Sequence, residues 1–156
     1  MSDRRFPSRP LVGVGAIVFS PDLGHVLLVR RGTPPAEGQW TFPGGLVERE
    51  TARLACLREL REETGIDAEL RDVAFVAERV VHDATGRVEY HYVILDFWGI
   101  ATERRVPEAR SDARAAEWVR IDELGARPTT RGVADAVNRA LQLARGQPPT
   151  VPTYSD

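Results

Sequence analysis

Three glutamates, Glu59, Glu62 and Glu63, stand at relative positions i, i+3 and i+4 in the segment Arg58-Glu59-Leu60-Arg61-Glu62-Glu63. On a helix those positions share one face, within roughly 100° of arc. Such a face can be a solvated one laced by ion pairs such as Arg58 to Glu62, but two features count against that. Glu59 and Glu63 are like charges four residues apart, and all three acids fall in the last turns, where the helix dipole is negative. Oxygens that repel one another are tolerated where a divalent cation neutralises them, and Mg²⁺ takes hard oxygen ligands together with substrate phosphates. The chemistry to expect is metal-assisted cleavage of a phosphoanhydride, in which charge on the bridging and leaving oxygens is neutralised while water is delivered in line.

These carboxylates need a helix, and the spacing predicts one from about Glu50 to Thr64. Leu54, Leu57 and Leu60 lie on one broad face and Gly65 stands where a C-terminal cap belongs. Ala52, Ala55 and Cys56 share the sector of the carboxylates, so the sequence reads as a low surface there, open to a loop or ligand, with the leucines packed opposite. Just upstream, Pro43-Gly44-Gly45 breaks regular structure, and its glycines let backbone groups come close to a ligand.

The remaining elements form a frame. Leu11 to Ser20 and His25 to Arg31 read as a strand pair around the turn Pro21-Asp22-Leu23-Gly24, and Gly32 to Gly38 as a surface loop leading to a short segment Gln39 to Phe42. Val73 to Val81 and Val88 to Ile100 are strand-like around Asp83-Ala84-Thr85-Gly86, and Ala115 to Ile121 offers another strand. Asp122 can cap a helical turn. A last amphipathic helix starts at Thr129 or Thr130 and runs through Val133, Ala136, Val137, Ala140, Leu141 and Ala144. This order predicts an α/β or α+β sandwich, a mixed sheet with helices packed on it. Residues 1–10 read as a flexible basic arm, 11–145 as one domain, and 146–156 as a loose tail.

The chain has 156 residues, 28% of them charged and 42% hydrophobic, and a formal charge of −2. That fits one globular domain and excludes a strongly basic, non-specific nucleic-acid binder. All 21 basic residues are arginine, so any cation offered to a phosphate is a planar fork. The single cysteine, Cys56, and the absence of an apolar leader or membrane-length run point to a cytoplasmic protein.

The pattern Gly44-x5-Glu50-x7-Arg58-Glu59-Leu60-x-Glu62-Glu63-x-Gly65-Ile66 resembles the Nudix box at every fixed position. Together with the Trp40-x-x-Pro43-Gly44-Gly45 approach, the later hairpin and the last helix, the resemblance covers roughly Val12 to Leu143. It implies an α/β/α sandwich with a mixed sheet, and hydrolysis of a nucleoside diphosphate linked to a further group. By this resemblance Glu59, Glu62 and Glu63 ligate Mg²⁺, for which Mn²⁺ can substitute, and the carbonyl of Gly44 or Gly45 adds a ligand. Arg58 and Glu50 form a structural ion pair. Here Pro43-Gly44-Gly45-Leu46-Val47-Glu48-Arg49-Glu50 is one residue shorter than most members of the family, which leaves open which glycine meets the metal. The general base is one of the box carboxylates or an acid on the loop after the strands, where Glu108 and Asp112 lie.

Arg30 and Arg31 end a strand beside the box and are candidate phosphate contacts. Trp40 is a candidate for stacking a base, as are Tyr90, Tyr92 and Phe97, although core packing suits each of them; His91 and Cys56 read as structural. The stretches Arg30 to Trp40 and Tyr90 to Asp96 are similar to Nudix proteins labelled ADP-ribose pyrophosphatases. ADP-ribose or a related dinucleotide or nucleotide sugar is therefore the expected substrate. A nucleoside-triphosphate pyrophosphohydrolase and a nucleotide-sensing binding domain are the alternatives. The partners expected are a small nucleotide and, from the family's habit, a second copy in a homodimer, with no membrane.

Overall fold

The computed structural model describes residues 4–156. Its strands are β1 (Leu11–Phe19), β2 (His25–Arg31), β3 (Trp40–Thr41), β4 (Gly44–Leu46), β5 (Ala68–His82), β6 (Val88–Ala101), β7 (Ala113–Arg120) and β8 (Tyr154–Ser155). The helices are α1 (Ala52–Thr64) and α2 (Val133–Ala144), with a 3₁₀ turn at Ile121–Ala126. All eight strands belong to one mixed sheet in which β1 runs parallel to β6 along its whole length, from Leu11↔Tyr92 to Phe19↔Ile100. The expected β1–β2 hairpin pairs only at Phe19↔Val26, because β2 turns away to pair with β7.

Alternation along β1 divides the core. Val14, Ala16 and Val18 face α1 with Leu27, Ala55, Cys56, Leu60, Ile66 and Phe97, while Ile17 and Phe19 face α2 with Phe75, Val133, Val137 and Leu141. A helix on each face makes the α/β/α sandwich that the sequence implies. Among the described residues no helix is long and apolar enough to cross a membrane.

Four local expectations are corrected. The first helix begins at Ala52, not Glu50, because Thr51 takes the N-cap and accepts a hydrogen bond from Leu54 N at 3.3 Å. That helix packs through its small face: Ala55 and Cys56 are fully buried, and Leu54 is 57% exposed. Small side chains let α1 settle onto β1, where the Cys56 thiol donates to Gly15 O at 3.4 Å, so the low surface read from the sequence is filled by the sheet. Gly44 and Gly45 do not break regular structure but form β4, paired with Gly15 and Val14.

The ends differ from the sequence reading as well. In the tail, Arg139 donates to Val151 O at 2.7 Å, Thr150 N to the Gln142 side chain at 3.0 Å, and β8 runs parallel to Val76 and Ala77 of β5. The arm is tied down from Arg5 onward: Arg5 pairs with Glu89 at 2.8 Å, Phe6 N donates to Glu89 O at 2.8 Å, and the Arg87 guanidinium lies 4.3 Å over the Phe6 ring. The first three residues of the expected arm lie outside the described residues.

Candidate functional site

The short strand β4 sets the site by strand alternation. Ala16 N donates to Pro43 O at 2.8 Å and Val47 N to Val12 O at 3.0 Å, with Gly45 opposite Val14. Residues 43, 45 and 47 thus turn their peptide groups toward β1, and Gly44 and Leu46 turn theirs the other way, toward α1. Gly44 N donates to Glu63 Oε2 at 3.2 Å, and Leu46 O accepts from Arg58 Nη2 at 3.3 Å. Of the two glycines it is therefore Gly44 whose carbonyl shares the side of the carboxylates. Gly45 supplies closeness: a Cβ there would stand 2.5 Å from the Glu59 carboxyl, and one on Gly44 would land on Val14 O.

Arg58 organises the acids. Its Nε lies 3.1 Å from both oxygens of Glu50 and its Nη2 2.5 Å from Oε1, while Nη1 reaches Glu59 Oε1 at 2.9 Å and Glu62 Oε2 at 3.3 Å. Bonding to Arg58 lowers the Glu50 carboxyl below its ordinary range and raises the guanidinium above its own. Spacing alone does not reveal that Arg58 also binds its neighbour Glu59. The guanidinium thus engages Glu59 and Glu62, while Glu63 is turned to the Gly44 amide. Among the described residues no three carboxylate, imidazole or thiol groups converge as a metal-holding cluster.

The electrostatics still suit a cation. Burial raises the Glu59 carboxyl, and burial pushes Glu63 up to about 8, with the Glu59 carboxylate adding to the rise. Desolvated carboxylates held above their ordinary range gain from added positive charge. A donor set of three carboxylates and the Gly44 carbonyl is all oxygen, which fits Mg²⁺ or Mn²⁺ better than a softer metal.

Around this centre the other expected residues separate. Arg31 is half-buried and donates to Pro35 O at 2.7 Å; its burial lowers its pKa, which the Glu63 and Asp112 carboxylates oppose. Arg30, on the opposite side of the strand, donates to Gly38 O at 3.2 Å. Asp112 lies within the field of Glu63. Glu108 is exposed and held by Arg110 at 2.8 Å, which lowers its pKa. The Trp40 ring is buried in the core with the Arg127 guanidinium stacked 4.6 Å above it, which corrects the reading of Trp40 as an open stacking platform. Phe97 is likewise core, and the Tyr90 and Tyr92 rings stack on each other at 6.3 Å. Burial pushes the Cys56 thiol up to about 12, which makes it inert at neutral pH. Gly65 caps α1 at φ 70°, its N–H donating to Arg61 O at 2.9 Å.

The family model described as NUDIX domain matches residues 9–140, and the chain belongs to the Nudix family, whose hydrolases generally use divalent metal ions. It is 32% identical over 116 residues to the ADP-ribose pyrophosphatase of Methanocaldococcus jannaschii, covering 74% of this chain and 64% of that protein. It is 34% identical to Nudix hydrolase 2 of Arabidopsis thaliana, covering 72% of this chain and 40% of that protein. The chain thus spans less than two thirds of the length of these curated relatives. Among solved structures, a MutT NUDIX hydrolase from Burkholderia pseudomallei superposes with a TM-score of 0.70 at 28% identity, covering 85% of this chain and 98% of that one. The NUDIX domain of Shewanella oneidensis NrtR, complexed with ADP ribose, shares the fold at a TM-score of 0.71 and 20% identity, covering 88% and 90%.

Proposed function

We propose that this chain is a pyrophosphohydrolase that cuts a phosphoanhydride bond in a nucleoside diphosphate linked to a further group, with ADP-ribose as the leading substrate and Mg²⁺ as the metal. The observation that carries this reading is the half-buried Glu63 carboxylate, fixed on the Gly44 amide at 3.2 Å beside Glu59 and pushed up to about 8 by desolvation. In this reading Glu59, Glu62, Glu63 and the Gly44 carbonyl would hold Mg²⁺, which would supply neutralising charge to the phosphate oxygens. The similarity to the Methanocaldococcus jannaschii ADP-ribose pyrophosphatase supports the substrate class.

The chain's own residues have distinct parts. Arg58 and Glu50 hold α1 and the β4 loop at a fixed separation, so the carboxylates are positioned before substrate arrives. Arg31 offers a half-buried guanidinium to the phosphates. Asp112, near Glu63 and Arg31, takes the proton of the attacking water; Glu108, engaged by Arg110, does not.

The test is a panel of ADP-ribose, NADH, dinucleoside polyphosphates and nucleoside triphosphates with Mg²⁺, each product identified. Release of AMP from ADP-ribose is the expected result. Release of pyrophosphate from a triphosphate with ADP-ribose untouched would replace this reading with the triphosphate pyrophosphohydrolase. If Glu62→Gln and Glu63→Gln behave as the parent does, the site is a nucleotide sensor and no enzyme.

A further inference from the structure

The sheet face under α2 carries a carboxylate that the proposed hydrolysis leaves unused. Asp96 of β6 is 5% exposed. Among the described residues no hydrogen-bond donor reaches it, and its nearest opposite charge is Arg79. Arg79 does not serve as its partner, because its Nη groups donate to the backbone carbonyls of Arg131 at 2.5 Å, Glu78 at 2.8 Å and Ser155 at 3.4 Å. A buried carboxylate without a donor costs free energy, and burial pushes this one up to about 7. Structural ionisable groups in an apolar core are paired; Asp96 is not.

The surroundings have the shape of a seat for a flat ring. In register, Gly13 lies beside Ile94 and Gly15 beside Asp96 on one side, and Ala77 beside Ile94 and Phe75 beside Asp96 on the other. Three small residues thus flank Ile94 and Asp96. The carboxyl stands over Gly15, where any Cβ would strike Oδ1, and the Phe42 side chain lies beside the same position. Helix α2 packs on Ile17, Phe19 and Phe75 of this face, while Ile94 and Tyr92 remain partly exposed. The open part adjoins the carboxylate site: Gly15 pairs with Gly44, and Tyr92 and Glu63 both lie in the field of Arg31. Two strand spacings, about 10 Å, separate Gly44 from Asp96 across β1, an interval that a ribose and a base can bridge.

We propose that Asp96 is a specificity-determining residue that accepts a hydrogen bond from the exocyclic amine of the substrate's base, selecting a 6-aminopurine nucleotide, with the base lying over Gly13, Gly15 and Ala77. This rests on the pyrophosphohydrolase reading for the placement of the phosphates near Gly44. The amine supplies the donor that Asp96 lacks, and above about pH 7, where the carboxyl is ionised, a base with an oxo group in its place sets two acceptors against each other. A site built for one hydrogen bond rejects the analogue lacking it strongly, because the buried group is then left unpaired.

The experiment compares ADP-ribose with inosine diphosphate ribose, which lacks the amine, on wild type, Asp96→Ala and Asp96→Asn. Binding is read by calorimetry in EDTA and kcat/KM with Mg²⁺. Wild type is expected to prefer the amino base about tenfold or more in both readouts. Asp96→Ala brings the ratio to near unity with the inosine form little changed and no loss of melting temperature, since an unpaired buried carboxyl is removed. Asp96→Asn, whose amide can donate to an oxo group as readily as accept from an amine, keeps the size but loses most of the preference. Equal binding of the two ligands by wild type, failure to bind either, or a preference that survives in Asp96→Ala overturns the assignment. A base preference in binding that depends on Asp96, with no turnover of any nucleotide, would instead sink the hydrolase reading and leave Asp96 as the base reader.

Discussion

Helices α1 and α2 sit on opposite faces of one sheet and are built by opposite rules. In α2 the apolar residues Val133, Ala136, Val137, Ala140 and Leu141 form one buried stripe and the polar residues face water. In α1 the buried set is Ala55, Cys56, Leu60 and Thr64, Leu54 is exposed, and the carboxylates crowd the last turns. The second helix is anchored by apolar area. The first is anchored by closeness, through small side chains against a glycine-bearing strand, and by the reach of Arg58 across the loop. Where close approach and charge are needed, a helix departs from the pattern that hydrophobicity alone would give it.

If the two helices divide the work in this way, substitutions on them should separate activity from stability. The largest effect is expected on α1: Glu63→Gln should lower kcat about a hundredfold or more on whichever nucleotide the chain hydrolyses, with the fold retained. The same substitution should alter stability in a way set by pH. The folded metal-free protein keeps the Glu63 proton up to about pH 8, while the unfolded chain releases it near the ordinary glutamate value of 4.5. Between those values the native state binds more protons, so stability falls as pH rises across that window. Urea midpoints in EDTA should show the fall in the parent, and Glu63→Gln should lessen it.

On α2, Leu141→Ala should cost about 3 kcal/mol in a urea titration and leave kcat of the folded fraction unchanged. Cys56→Leu bears most directly on the contrast. Overfilling the contact with Gly15 should cost about 1–3 kcal/mol and also reduce activity, because α1 cannot shift off β1 without moving Glu59 and Glu63. A Cys56→Leu protein that loses stability but keeps full kcat would show that the carboxylates do not depend on that packing. The smallest change is expected at Leu54→Gln, within about 0.5 kcal/mol, since the side chain it replaces is mostly exposed.

What could be read from the sequence follows the same division. The last helix and the site helix were both legible, one from its 3.6-residue stripe and the other from its acidic spacing and Gly65. The packing face of α1 was not, since a rule that sorts residues by hydrophobicity sends Leu54 inward and Ala55 outward, whereas contact with β1 is decided by size. Strands β4 and β8 have 3 and 2 residues, too few for any period to show. The parallel β1–β6 pairing joins segments about 80 residues apart and left no local trace, while the β5–β6 hairpin carried its turn in plain view. At the site, Glu50 and Arg58 are fixed in the box pattern. That Gly44, and not Gly45, turns its carbonyl to the acids depends on strand register, and that Asp96 is buried without a donor depends on what packs above it.

The two residues of β8 have a further bearing on how the protein behaves among its own copies. The outer edge of a long strand such as β5 is a template on which another chain can pair. Here β8 covers that edge at Val76 and Ala77. Strand β8 therefore occupies part of the edge on which another copy could pair, and so guards the sheet against edge-to-edge association.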